Sequence, residues 1–275
     1  MLPARTMSLL AVCLIGGLLS GVRAEPPSAE TRTRLTAAVA GEHRPQGDRS
    51  RDPYRHPLET LLFFGIGDDM TVVELWPEAG WYSRILAPFL KNTGKLYLAL
   101  DDPDSTSSRQ ASKLRKEILG SPDVYGKPQF TNLAKGSYEV APAGTADMIL
   151  SFRNVHNWMA GGYANEVFSA AFRALKPGGV LGIVEHRAKP GRQDPEARSG
   201  YVAEAFVIEL SLSAGFRLAA ASEINANAKD TKDYPKGVWS LPPSYASGDF
   251  DRSKFAAIGE SDRMTLKFIK PALQP

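Results

Sequence analysis

Residues 71–80, TVVELWPEAG, run from an apolar stretch into an acid, Glu74. Gly80 follows six positions later, just ahead of the helix-like WYSRILAPFL. A strand, a tight turn and a helix in this order present backbone N–H groups to a nucleotide. In the usual pattern, acid-x-Gly-x-Gly-x-Gly, the first two glycines are replaced here by Trp76 and Glu78. Glycine lets the backbone turn tightly and approach a ligand with no Cβ in the way. Trp76 and Pro77 instead make a rigid turn, its indole an apolar wall or stacking surface. Glu78, if turned inward, opposes an anionic ligand group by like-charge repulsion. Asp101 ends the next apolar run, KLYLALD, and a carboxylate there offers paired acceptors to a cis-diol.

Two further clusters close apolar runs. Arg153, Asn154, His156, Asn157 and Trp158 follow ADMILSF, and Glu185, His186 and Arg187 end VLGIVEHR. A histidine titrating near neutrality suits removal of a proton from a substrate nucleophile. At a strand end it equally well caps backbone groups. His56, His156, His186 and Glu185 also make an imidazole and carboxylate set of the kind zinc or iron takes. No His-x-x-x-His or similar short spacing supports that set, so no metal is expected. His43 lies in a polar stretch and is expected to be solvent-exposed.

The elements that must position these residues alternate in type. Strands are expected at TVVEL (71–75), KLYLALD (95–101), ADMILSF (146–152), VLGIVEH (180–186), FRLAAAS (216–222) and RMTLKFIKP (263–271), with a short one near QFTNL (129–133). Between them, 82–92, 107–119, 165–176 and 201–215 carry helical spacing. Continuous apolar strands alternating with helices specify an α/β fold. Its sheet is doubly wound, mostly parallel and seven-stranded, and covered on both faces. Right-handed crossovers then bring the strand C-terminal ends to one edge, where ligands bind in such sheets.

The chain has 275 residues and a formal charge of +3. Arg5 precedes the apolar run MSLLAVCLIGGLL (7–19), and Val22-Arg23-Ala24 offers small residues to a signal peptidase. This is the form of a secretory signal peptide cut after Ala24, which implies a periplasmic or secreted protein without stable membrane insertion after cleavage. The run is too short to span a bilayer, which takes about 20 apolar residues. Cleavage would remove Cys13, the only cysteine, and with it any disulfide or thiolate metal site. It would also lower the charge to +1, since Arg5 and Arg23 leave and no acid does. Such a balance, with no basic tract, argues against a nucleic-acid partner. Residues 25–57 read as an extended or partly helical lead-in, and 58–275 as a single domain. Within it, a polar stretch at about 223–250 is expected to form a lid. Nothing in the pattern specifies an oligomeric state.

The segments VVELWPEAGWYSRIL, LYLALD, ADMILSFRNVHNW, FRALKPGGVLGIVEH, LSAGFRL and RMTLKFIKP, in this order, resemble the class I S-adenosylmethionine-dependent methyltransferase fold. Its last strand is antiparallel. Leu-Lys-Pro-Gly-Gly ahead of the fifth strand is the most specific piece. With RDPYRHP, EINANAKDTKDYPKGVWSLPP and ESDRMTLKF, the chain looks like a group of secreted bacterial methyltransferases. The resemblance implies that S-adenosylmethionine is the cofactor and that a small molecule accepts the methyl group. It implies a cofactor site made of Glu74, Trp76, Gly80, Tyr82, Asp101 and Asn154, with Arg153, His156 and His186 at the substrate. A non-catalytic ligand-binding or metal-binding protein on the same fold is the competing expectation. The altered loop and the export signal favour it.

Overall fold

The computed structural model describes residues 27–101, 108–249 and 251–272; the expected signal peptide lies outside the described residues. Among the described residues, no helix is long and apolar enough to cross a membrane. Helices α1 (Ala29–Ala40), α2 (Gln46–Arg49), α3 (Asp52–Arg55) and α4 (Pro57–Phe64) precede the first strand. Strand β1 (Thr71–Leu75), helix α5 (Ser83–Leu90), strand β2 (Lys95–Leu100), helices α6 (Ser108–Gly120) and α7 (Pro122–Tyr125), and strands β3 (Gln129–Ala134) and β4 (Ser137–Glu139) follow. The second half runs through β5 (Ala146–Phe152), α8 (Val155–Gly161), α9 (Ala164–Ala174), β6 (Leu175–His186), α10 (Glu204–Ser213), β7 (Arg217–Ser222), α11 (Arg252–Ile258) and β8 (Arg263–Ile269).

The strands form one sheet in the order β4-β3-β2-β1-β5-β6-β8-β7. The five from β3 to β6 are mutually parallel, while β4 and β8 run antiparallel to their neighbours. The sheet therefore has eight strands where the sequence pattern suggested seven. The eighth, β4, is three residues long and returns from β3 through Lys135-Gly136, with Gly136 at φ 87°. So short a strand carries no periodicity. A second difference lies at Leu-Lys-Pro-Gly-Gly. Helix α9 stops at Ala174, and Leu175 already pairs with Ala146, so the motif belongs to an irregular start of β6.

Strand β1 is buried on both faces, as a central parallel strand must be. Val73 and Leu75 join the core beneath α8, α9 and α10, and Val72 joins the core beneath α1, α4 and α5. The lead-in is part of that second core. Leu35 and Ala38 of α1 pack with Leu61 and Phe64 of α4 and with Ile85 and Phe89 of α5. Arg44 is 1% exposed, forks onto both Asp52 carboxylate oxygens at 2.7 and 2.8 Å, and lies over the Trp81 ring. Residues 27–57 are thus mostly helical and integral to the body. His43 is not solvent-exposed as expected; it is half-buried, bonded to the Arg84 carbonyl and edge-on to Tyr125.

Leu35→Ala tests that integration. Deleting a fully buried leucine side chain costs roughly 2–5 kcal/mol. The whole protein should lose that stability in one cooperative denaturant transition. A separate early transition would instead mark the lead-in as an independent appendage.

Candidate functional site

The C-terminal ends of β1, β2, β5 and β6 meet on one sheet edge, as the alternation of elements required. Because β8 is antiparallel, its first residue, Arg263, lies beside His186 at that edge. Two places on it hold the residues singled out in the sequence.

The first is the loop after β1. Its backbone keeps the left-handed conformations that glycines would supply, with φ 47° at Trp76, 49° at Glu78 and 80° at Gly80. Such angles in non-glycine residues cost energy, and tertiary contacts must hold them. Asn154, 1% exposed, supplies one such contact by donating from Nδ2 to the Leu75 and Trp76 carbonyls at 3.0 and 3.1 Å. Its Oδ1 is buried without a partner. The Trp76 indole reaches over the neighbouring strand ends and donates from Nε1 to the Leu133 carbonyl at 2.5 Å, edge-on to Trp158 and Tyr163.

The other residues expected around a cofactor are engaged elsewhere or covered. Glu74 is 2% exposed and accepts from Ser83 Oγ at 2.6 Å; burial pushes its pKa up to about 7. Tyr82 stacks on Phe152, its ring centroid 3.5 Å away. The face of Gly80 is taken by Leu114 of α6, whose Cδ1 lies 2.2 Å from where a Cβ would stand. Asp101 is half-buried at the end of β2, and after burial its carboxylate is the main influence raising the Tyr163 pKa. Between Trp76, Pro77, Glu78, Leu100, Asp101 and Ala111 a cavity of about 10 Å³ remains. That is room for about one water molecule. Glu78, one of the residues lining this cavity, is itself exposed.

The second place is a pocket of about 200 Å³ between the strand ends and residues 238–244. Arg51, Arg55, Arg153, His156, His186 and Glu260 carry most of its polar chemistry, and Glu78 sits on its rim. His156 stands in the first turn of α8 and is 6% exposed, its Nδ1 3.0 Å from Glu185 Oε1. A carboxylate only accepts, so Nδ1 donates. Glu185 is fully buried; Oε2 accepts from the Val155 N–H and Oε1 from the His186 N–H as well as from His156. His186 Nδ1 meets Ser261 Oγ at 2.5 Å, and its ring centroid lies 5.4 Å from that of His156. Burial, then His156 and Arg153, hold His186 well below its ordinary pKa, so it is neutral at pH 7.

His156, Glu185 and His186 offer ligand atoms within 4.8 Å of one another. The site does not suit a cation, because both Glu185 oxygens are already hydrogen-bonded and arginines line the same pocket. His56 belongs to neither set of residues. It turns the chain between α3 and α4 at φ 41° and does not line the pocket, although Arg51 and Arg55 beside it do.

Sequence reading missed the residue at the centre, Glu260. It accepts from Arg51 Nε at 2.5 Å, Arg55 Nε at 3.1 Å and Arg263 Nη1 at 3.0 Å, with Arg153 Nη1 at 4.0 Å. The signal was the run Glu260-Ser261-Asp262-Arg263, polar in sequence and buried throughout. Arg187, by contrast, turns away to Asp262 and Glu223. The expected lid contributes Trp239 beside His156 and the Pro242-Pro243 pair, joined by a cis peptide, to the pocket wall. A larger cavity of about 530 Å³ opens at the opposite sheet edge, away from every histidine.

Burial acts to raise the Glu260 pKa, but Arg55, Arg263, Arg51 and Arg153 together bring it down to about 2. A depressed carboxyl stabilises the fold above its unfolded pKa, and that contribution is lost as pH falls through the folded one. Each tenfold change in proton affinity is worth roughly 1.4 kcal/mol, so Glu260→Gln should cost about 3 kcal/mol at pH 7. The deficit should shrink between about pH 4.5 and 2 in denaturant titrations, and a pH-independent deficit would contradict this origin.

No family model and no curated protein sequence matches the chain. Solved structures do. A S-adenosylmethionine-dependent methyltransferase from Aquifex aeolicus is similar over 87% of this chain and 98% of its own, at 17% identity and a TM-score of 0.53. The [4+2]-cyclase SpnF is similar over 88% and 93%, at 15% identity and 0.56. An arsenic(III) S-adenosylmethionine methyltransferase from Chlamydomonas reinhardtii is similar over 90% and 74%, at 16% identity and 0.51. At these identities the likeness concerns architecture: the chain has the Rossmann-like α/β fold of the S-adenosylmethionine-dependent methyltransferases.

Proposed function

We propose that the protein binds a small molecule in the histidine–arginine pocket, on a methyltransferase fold whose nucleotide groove is filled by its own Trp76. The observation that carries this reading is the indole itself. It bonds to the Leu133 carbonyl and leaves about 10 Å³ in the groove, while about 200 Å³ stays open beside His156 and His186. Small-ligand pockets usually measure roughly 300–1,000 Å³, so the ligand is a compact metabolite. The site also holds the parts of a proton acceptor. Glu185 holds His156 through Nδ1, and His156 lines the pocket beside the neutral His186. Trp239 and the prolines at 242–243 serve as a cover over the ligand. The leader-like residues 7–24 support a periplasmic or secreted site of action. S-adenosylmethionine is made in the cytoplasm, so export also favours a ligand other than that cofactor.

A second reading, an S-adenosylmethionine-dependent methyltransferase acting on a small molecule, is favoured by one specific feature. The loop holds three left-handed residues in the form of a nucleotide loop, with Asp101 at the next strand end. Calorimetry with S-adenosylmethionine and S-adenosylhomocysteine separates the two. No saturable heat is expected from the wild-type protein at millimolar ligand, and Trp76→Gly should gain binding by emptying the groove. Saturable binding by the wild type that disappears in Asp101→Ala would overturn the first reading and establish the second.

A further inference from the structure

The arginines around Glu260 outnumber their counter-charge. Arg51, Arg55, Arg153 and Arg263 converge on this one carboxylate. Among the described residues none of the four has another carboxylate within 4.0 Å, the limit of an ion pair. Three of the arginines line the pocket, and Arg263 lies behind it. Arg55 is 2% exposed and its Nη1 is buried with no hydrogen-bond partner; the Nε of Arg263 is likewise unpartnered. A guanidinium taken out of water with donors unmade is costly unless something supplies the missing acceptors. The remaining wall adds no negative charge near these donors: the imidazole of His186, the hydroxyls of Ser244 and Ser261, and apolar surface from Trp239 and the prolines. Glu78, the other acid at the pocket, is exposed at the rim.

We infer that the pocket's ligand is a small oxyanion, a carboxylate or a phosphate, whose oxygens complete the hydrogen bonding of Arg55 and Arg153 beside Glu260. The inference rests on the small-molecule reading of this pocket and names its substrate class. It is supported by geometry, since a planar guanidinium meets carboxylate or phosphate oxygens in a matching fork. The same charge excess opposes a divalent cation on the neighbouring histidines. Burial and the Arg153 guanidinium also push the Arg55 pKa well below its ordinary range, which is the signature of positive charge without enough compensation.

The chain has four histidines, so imidazole proton signals in NMR read the site directly. The purified protein is titrated at fixed pH and ionic strength with sodium phosphate, sodium succinate, and succinamide as the uncharged analogue of succinate. His156 and His186 signals are assigned by single His→Gln substitution. Phosphate or succinate should shift these two signals saturably in the millimolar range while His43 stays still. Which of the two acts tells phosphate from carboxylate. Arg153→Asn, chosen because Asn tolerates the φ of 63° at this position, should weaken the affinity at least about tenfold. Arg51→Gln, on a partly exposed side chain, should weaken it too and guards against misfolding of the first variant. Succinamide binding as well as succinate, or unchanged affinity in both variants, would overturn the oxyanion while leaving the pocket a small-molecule site. No response to any of the three probes would overturn both readings.

Discussion

Everything at this sheet edge depends on how one buried carboxylate is held. Glu260 is 5% exposed, and desolvation alone would push its pKa up. Four guanidiniums reverse that outcome, and they come from distant parts of the chain. Arg51 caps the single turn of α3 and Arg55 ends it, Arg153 follows β5, and Arg263 begins β8. The cluster therefore fastens the lead-in to the sheet at the place where the pocket forms. A buried ion pair is weak evidence for stability, because desolvation can cancel the Coulomb gain. Here the excess of donors over acceptors makes the cluster more informative about ligand than about stability.

The loop after β1 separates backbone geometry from side-chain content. Glycines are favoured in such loops because positive φ costs them nothing and they leave space. This chain keeps the first property and gives up the second. Trp76 and Glu78 hold positive φ under tertiary constraint, and the Asn154 amide bonds to the carbonyls on either side of the bend. The Trp76 indole donates to the Leu133 carbonyl at the end of β3 and packs edge-on against Trp158 and Tyr163.

Glu185 decides what the two histidines can do. It is fully buried and receives donors from Val155, His156 and His186. With its acceptors engaged it orients imidazoles rather than binding a cation. The neutrality of His186 and the surrounding arginines suit an anionic ligand with a proton acceptor beside it.

Much of this was legible in the residues. The alternation of apolar runs with helical spacing specified the parallel strands, because strands buried on both faces must be continuously apolar. The run of strand-end polar residues marked the working edge, and Arg153, His156 and His186 do meet there. The short hairpin strand β4 was not legible, since three residues show no period, and neither was the packing of the lead-in, whose helix α1 owes its place to Leu35 and Ala38. The sequence by itself determined the order of elements, the edge on which polar residues collect and the loss of two glycines. Only the tertiary structure decided that Trp76 reaches across to Leu133, that Glu74 is taken by Ser83, and that Glu260 draws four arginines together. Those outcomes depend on contacts between residues as much as 209 positions apart, as between Arg51 and Glu260, and local periodicity carries no record of such distances.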